Sequence, residues 1–329
     1  MKKKNILITG GTGSFGQHFT RFILKKNLFN KIIIFSRDEQ KQEQMFNSID
    51  DKFKKKVRFF MGDIRDKDRL QIALNDVDYL VHAAALKIVP SAEYNPTECI
   101  KTNVIGAQNV VECALNQKIK KVLALSTDKA CNPVNLYGAS KLASDKIFIA
   151  SNHLSQKHPV FSVVRYGNVL GSRGSVIPLF LELDKKNSNF FPITHKDMTR
   201  FFITLDHSVN FVYESLNIMN GGEIFIPKIP SIKIVDLAKV INEKKPIKFI
   251  GLRPGEKLHE IMISKDDARL TEDRGNYYII HPTINIWDRK RSMRKLKTVD
   301  DNFEYSSLTN KHWLQKKELT KIIKFIRNK

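Results

Sequence analysis

Residues Asn5 to Gly16 read NILITGGTGSFG. A short apolar run, Asn5–Thr9, passes directly into glycines at positions 10, 11, 13 and 16, and a segment of helical period, Phe15–Lys26, follows. Strand, glycine turn and helix in that order suit a phosphate-binding unit. Glycine lets the backbone approach a pyrophosphate closely, and the helix N-terminus faces the anion. The spacing is G-x-x-G-x-x-G rather than G-x-G-x-x-G, and the strand before it and helix after it give the motif its weight. The candidate dinucleotide contacts are Gly10, Thr12, Gly13, Ser14, Phe15 and Gly16.

The same alternation continues outward. Lys31–Phe35, Val57–Phe60, Tyr79–His82, Lys121–Ser126 and Phe161–Arg165 are short and rich in Ile, Val, Leu and Phe, as strands buried on both faces are. Asp66–Leu74 and Pro96–Asn116 between them have helical period. Such repetition, with right-handed crossovers, gives an α/β fold with a doubly wound parallel sheet. Beyond Gly167 the chain becomes loop-rich, with punctuation from Pro178 to Pro254-Gly255. The expected organisation is a dinucleotide-binding domain over 1–166, rejoined by segments near 200–226, and a smaller substrate-binding lobe over 167–329. That lobe would end in a basic tail, Ile284–Lys297, and an amphipathic helix, Trp313–Ile326.

Composition narrows the class. At 329 residues, 42% hydrophobic and 27% charged, the chain reads as a soluble globular protein of one large domain or about one and a half. No apolar run approaches the roughly 20 residues of a membrane-spanning helix. The basic start MKKK is followed only by Ile6-Leu7-Ile8 before the glycines, too short for a secretory core, so a cytoplasmic location is expected. Cys99, Cys113 and Cys131 are odd in number and lack C-x-x-C spacing, which argues against disulfides or zinc and for small apolar side chains. The histidines form no H-E-x-x-H pair, no metal is expected, and His82 should pack near the cofactor. The net charge of +22 admits anionic partners. Its clusters, Lys52–Arg58 and Arg289–Lys297, are not interleaved with aromatics in the manner of a base-stacking platform, so a solvated Lys-rich surface is expected, with no nucleic-acid or membrane partner.

The second strand ends in Ser36-Arg37-Asp38, with Lys41 one turn beyond Arg37. A carboxylate leading at this tip would bind ribose hydroxyls and repel a 2′-phosphate. Here Ser36 and Arg37 lead, which favours NADP over NAD and leaves Asp38 to cap the next helix. Asp63-Ile64 after the third strand are placed to meet the adenine, with a helix cap the alternative for Asp63.

Ser126–Lys141 reads STDKACNPVNLYGASK. Tyr137 and Lys141 share a helix face, and with the glycine motif they resemble the extended short-chain dehydrogenase/reductase superfamily. That resemblance implies that Tyr137 exchanges a proton with a substrate hydroxyl. It implies that Lys141 binds the nicotinamide ribose and lowers the pKa of Tyr137, as a neighbouring ammonium would. It also places Ala83, Lys87 and Val169 at the cofactor. Longer segments, among them FSRDEQKQ, HAAALKIVPSAEYNPTECIKTNVIGAQNV, FSVVRYGNVLGSRGSVIPLF and GLRPGEKLHE, resemble the inverting UDP-N-acetylglucosamine 4,6-dehydratases of pseudaminic acid biosynthesis. The match runs from the N-terminus to FEYSSLTNKHWL. It implies UDP-N-acetylglucosamine as substrate, tightly bound NADP recycled in each turnover, and a homo-oligomer built from dimers, with hexamers in similar proteins. Ser126-Thr127-Asp128-Lys129 is the most telling motif, because retaining dehydratases carry Asp-Glu there and 4-epimerases no such acid–base pair. One departure is Ile88, where the family has His after the Lys of AALK.

Asp128 and Lys129 answer what dehydration adds to hydride transfer: a base for the C5 proton and an acid for the departing 6-hydroxyl. Lys129 is expected to be the base, which requires its pKa to fall, and Asp128 the acid, which requires its pKa to rise. By resemblance Lys87, Ser126, Thr127, Asn168, Arg173, Arg253 and Glu256 line the UDP-sugar site; as plain sequence, solvated surface groups are the lesser alternative for the loop residues among them. A 4-epimerase or a retaining dehydratase is the rival enzyme, and an NADP-binding scaffold with nucleic-acid affinity the rival binding protein.

Overall fold

The computed structural model describes residues 4–172, 174–283 and 298–327. Six parallel strands form the centre: β1 (Ile6–Thr9), β2 (Ile32–Ser36), β3 (Val57–Met61), β4 (Tyr79–His82), β5 (Lys121–Thr127) and β6 (Val160–Tyr166). Their spatial order is β3-β2-β1-β4-β5-β6, with Ile6 paired to both Ile32 and Tyr79. Ile224–Pro227 adds in parallel beside β6, and Tyr277–Ile280 and Thr271–Asp273 follow in antiparallel. This is the doubly wound α/β arrangement. Its strand order reverses between β1 and β4, which opens a crevice at their C-terminal ends.

β1, β2 and β6 are buried throughout, as their Ile, Val and Phe content requires. β3 departs from the expected burial on both faces: it is an edge strand with one neighbour, and only Phe60 is fully buried. The return to the sheet also goes further than residues 200–226. The Thr271–Ile280 hairpin turns at Gly275, whose φ of +80° suits glycine, and no helix marks it in the sequence.

Helix α1 (Ser14–Lys25) follows β1, and α2 (Glu39–Asn47) follows β2. The expected single helix Pro96–Asn116 is a helix at Pro96–Ile100, a π turn at Lys101–Ile105 and a helix at Gly106–Asn116. A π turn adds one residue without breaking the chain of hydrogen bonds, so periodicity does not reveal it. It turns Asn103 inward, where the amide donates to Leu86 O and Ser140 Oγ and accepts from Leu86 N. All three cysteines are free thiols and buried.

A second, smaller core gathers Leu170, Phe180, Phe191, Phe202, Leu237 and Ile323 with their neighbours. Its last helix is Lys316–Arg327, shorter than the expected Trp313–Ile326 because Trp313 forms a β-bridge to Ser231. The expected basic tail, Ile284–Lys297, lies outside the described residues, as does Arg173. No helix among the described residues is long and apolar enough to cross a membrane.

Candidate active site

The glycine loop fits closely packed backbone. A Cβ on Gly10, whose φ is +62°, would lie 2.9 Å from the Ala84 backbone, and one on Gly16 would lie 2.5 Å from Gly11. α1 begins at Ser14 with no side-chain cap at Gly13, so its first amides keep their donor capacity. Thr12 is buried, and Phe15 stacks on Phe19. Thr9 Oγ1 accepts from the Ala83 and Ala84 amides and bonds His82 Nδ1 at 2.8 Å, locking the β4 end to the β1 end.

At the β2 tip, Ser36 Oγ accepts from Gln42 at 3.0 Å. Asp38 caps α2, accepting from Lys41 N, and its carboxylate also pairs with the Lys41 ammonium. Arg37 Nη1 lies 3.6 Å from Asp63 Oδ2. Asp63 caps no helix; Asp66 does that at the next helix, while Asp63 holds Arg65. Partial burial opposes ionisation of Asp63, but the hydrogen bonds from Arg65 and the charges of Arg65 and Arg37 hold its carboxyl below the usual range. Ile64 is buried against Gly106. The two cations expected at a 2′-phosphate are thus paired with carboxylates at an exposed edge.

The catalytic candidates meet at the C-terminal end of β5. The turn Asp128–Ala130 follows Thr127, whose hydroxyl donates to Asp128 Oδ1 at 3.0 Å and is hydrogen-bonded to the Tyr137 phenol. Asn135 caps the helix Leu136–Ala150, which carries Tyr137 and Lys141 on one buried face. Gly138 lets that helix approach: a Cβ there would lie 2.3 Å from Lys129 O. Lys129 Nζ is 3.0 Å from Asp128 Oδ1, 3.3 Å from Asn168 Oδ1 and 3.3 Å from Glu260 Oε1. Asn168 and Val169 form a short strand beside Thr199–Ile203.

The electrostatics correct one expectation. Burial disfavours a charge on Lys129, yet Asp128 and Glu260 outweigh it and hold the ammonium above its ordinary range. Its pKa therefore rises where a base was expected to show a fall. Burial raises the Asp128 carboxyl, against the pull of Lys129, which is the direction an acid requires. Tyr137 is pushed up to about 12 by burial, and the cation that opposes this is Lys129 rather than the expected Lys141. Lys141 is lowered by its own burial, with Asp145 opposing. Ser126 turns its hydroxyl to the buried Asp145 at 2.7 Å.

The remaining sugar-site candidates sit at the rim. Lys87 and Ile88 are exposed at the start of the Val89–Tyr94 helix. Arg253 is exposed, and its amide and carbonyl bond Glu256. Glu256 also faces Arg200 at 3.6 Å. Lys257 Nζ donates to Cys131 O and Asn135 Nδ2 to Gly255 O, so this loop is pinned against the turn after β5.

This constellation has relatives. The family described as polysaccharide biosynthesis protein matches residues 6–282. The inverting UDP-N-acetylglucosamine 4,6-dehydratase of Campylobacter jejuni is 54% identical over 330 residues, covering 97% of both chains. The chain belongs to the polysaccharide biosynthesis protein family. Its resemblance to the inverting dehydratases, first read from motifs, holds over nearly the whole length. A UDP-glucose 4-epimerase of Rickettsia bellii is 45% identical over 285 residues, 84% of this chain and 82% of that one. Among solved structures, Pen from Bacillus thuringiensis superposes with a TM-score of 0.89 at 35% identity, covering 99% of this chain and 98% of that one.

In this family member, three inward-facing residues escaped the motif reading. Asn103 comes in on the π turn, Arg200 on the strand Thr199–Ile203, and Glu260 at the end of GLRPGEKLHE. Glu260 is the last residue of a quoted motif, but no local spacing ties it to Lys129.

Proposed function

We propose that the protein converts UDP-N-acetylglucosamine to a 4-keto-6-deoxy sugar nucleotide with inversion at C5. The observation that carries this reading is the Asp128–Lys129 ion pair, 3.0 Å long, at the strand end beside buried Tyr137. The glycine loop, the β2 tip and Lys141 are the groups that would hold NADP. A bound nicotinamide supplies a hydride acceptor that becomes the donor in the last step, so the overall reaction is redox-neutral. In its phenolate form, which the Lys129 charge favours against burial, Tyr137 takes the proton of the 4-hydroxyl, and the resulting ketone acidifies C5–H. Transfer of one proton from Lys129 to Asp128 across their hydrogen bond gives an amine and a carboxylic acid together. The amine then removes the C5 proton, and the acid protonates the leaving 6-hydroxyl. This route reconciles a charged Lys129 at rest with its role as base, because the internal transfer leaves the net charge of the pair unchanged.

NADP is favoured over NAD because Arg37 and Lys41 sit in exposed pairs, and such pairs contribute only about 0–1 kcal/mol. A 2′-phosphate can therefore replace their carboxylate partners. Arg37→Ala should lower affinity for NADP more than for NAD in a fluorescence titration; equal losses would remove this preference. The product suits the first step of pseudaminic acid biosynthesis in the cytoplasm, by a homo-oligomer. The 4-epimerase reading has the weaker support: the epimerase relative aligns over less of the chain, and its chemistry gives Asp128–Lys129 no task. Turnover of UDP-N-acetylglucosamine followed by proton NMR separates the two, since only dehydration yields a C6 methyl group.

A further inference from the structure

Glu260 is 2% exposed, a burial ordinarily reserved for apolar side chains. Oε1 lies 3.3 Å from Lys129 Nζ and 3.7 Å from Arg200 Nε, and Oε2 lies 3.9 Å from Lys257 Nζ. Oε2 has no hydrogen-bond partner among the described residues, and neither has Asp128 Oδ2 on the other side of the ammonium. The Glu260 backbone is fixed on both sides: Ser307 N donates to its carbonyl at 2.8 Å, and its amide donates to Ser307 Oγ at 2.9 Å. A buried carboxylate with an oxygen left without a hydrogen bond is costly, so its placement calls for a task.

From this geometry we infer that Glu260 is a positioning residue: it orients the Lys129 amine and supplies the counter-charge for the ammonium formed when Lys129 takes the C5 proton. The inference rests on the dehydratase reading for that last clause, but the Glu260–Lys129 coupling stands by itself. Asp128, Lys129 and Glu260 then work as acid, base and orienting group, the same division of labour as a nucleophile, its base and the carboxylate behind the base. The groups facing the pair are Asp128 and Tyr137 around Lys129, and Arg200, Glu256, Lys257 and His259 around Glu260. Burial opposes ionisation of Glu260, but the charges of Lys129 first, then Arg200 and Lys257, hold its carboxyl below the usual range.

Two measurements test this. The first is competitive labelling of lysine amines with acetic anhydride across pH, read by mass spectrometry on the full chain. In the wild-type protein the Lys129 midpoint should lie above that of the exposed lysines, and in Glu260→Gln it should fall by about one unit or more, a tenfold rise in reactivity at fixed pH. The second is the pH profile of kcat with UDP-N-acetylglucosamine. Glu260→Gln should move it to lower pH and lower kcat, with KM nearly unchanged and Glu260→Asp recovering part of the loss. A Lys129 midpoint at or below the exposed lysines in the wild type overturns the inference even if Glu260→Gln does not fold. So do coincident labelling curves and pH profiles for the wild type and Glu260→Gln. If the wild type forms no keto sugar but the labelling shift appears, the coupling holds and the substrate reading fails.

Discussion

Lys129 lies between two carboxylates, and the chemistry of the site depends on which group holds the shared proton. Asp128→Asn keeps the shape and removes the proton carrier. Reduced nicotinamide should still form when substrate is added, seen as absorbance near 340 nm, while release of 6-deoxy sugar falls by about 10²–10⁴-fold. Equal loss of both signals would place Asp128 in the first step instead. His82 makes a second residue-scale test. Burial first, and the Lys141 charge second, hold its imidazole down to about 3, and it packs against Phe148. The unfolded chain binds a proton at His82 below about pH 6.5, whereas the folded chain does not. The stabilisation is therefore complete above about pH 6.5 and declines as pH falls toward about 3. His82→Gln should show a shallower drop in urea midpoint between pH 6.5 and 4.5 than the wild type; parallel curves would contradict the buried neutral imidazole. Asp128, Lys129, Tyr137 and Lys141 were legible in the sequence because each pair is joined by local spacing. Glu260 and Arg200 were not, because only the tertiary fold brings them to Lys129.

The helix Leu136–Ala150 and the turn Asp128–Ala130 form one unit, held at the distance that Gly138 permits. Gly138→Ala would put a methyl 2.3 Å from Lys129 O, against backbone that has no flexible end to yield. Overpacking of this kind costs about 1–3 kcal/mol. Because Tyr137 and Lys129 sit on the two parts that would separate, kcat should fall by at least an order of magnitude, beyond what the lowered melting temperature explains. A variant with wild-type kcat would show that the turn can shift harmlessly. The six central parallel strands were legible to within one or two residues, since runs such as Ile32–Ser36 admit no other burial. The π turn that brings in Asn103 was not, because its residues keep a helical pattern.

At the scale of the molecule, two cores share the site. The sheet core carries the glycine loop, Asp128, Tyr137 and Lys141. The second core holds Leu170 and Phe202, which flank the Asn168–Val169 strand and its pairing with Thr199–Ile203. Leu319 of the last helix is buried in this second core. Leu319→Ala should cost about 2–5 kcal/mol and raise KM for the UDP-sugar, with dinucleotide affinity unchanged in a fluorescence titration. Loss of both affinities together would mean that the cores do not divide the binding task. The doubly wound sheet was readable from alternation alone, whereas the antiparallel hairpin Thr271–Ile280 at its edge was not, being short and unaccompanied by helices. The proposed reaction at the site that the two cores share is removal of water from a sugar nucleotide with inversion at C5. The direct measurement is proton NMR of UDP-N-acetylglucosamine incubated with the protein in D₂O. The expected product has a C6 methyl group, deuterium at C5 and the inverted configuration there. A product with C5 unchanged, or a 4-epimer that keeps its 6-hydroxyl, would contradict it.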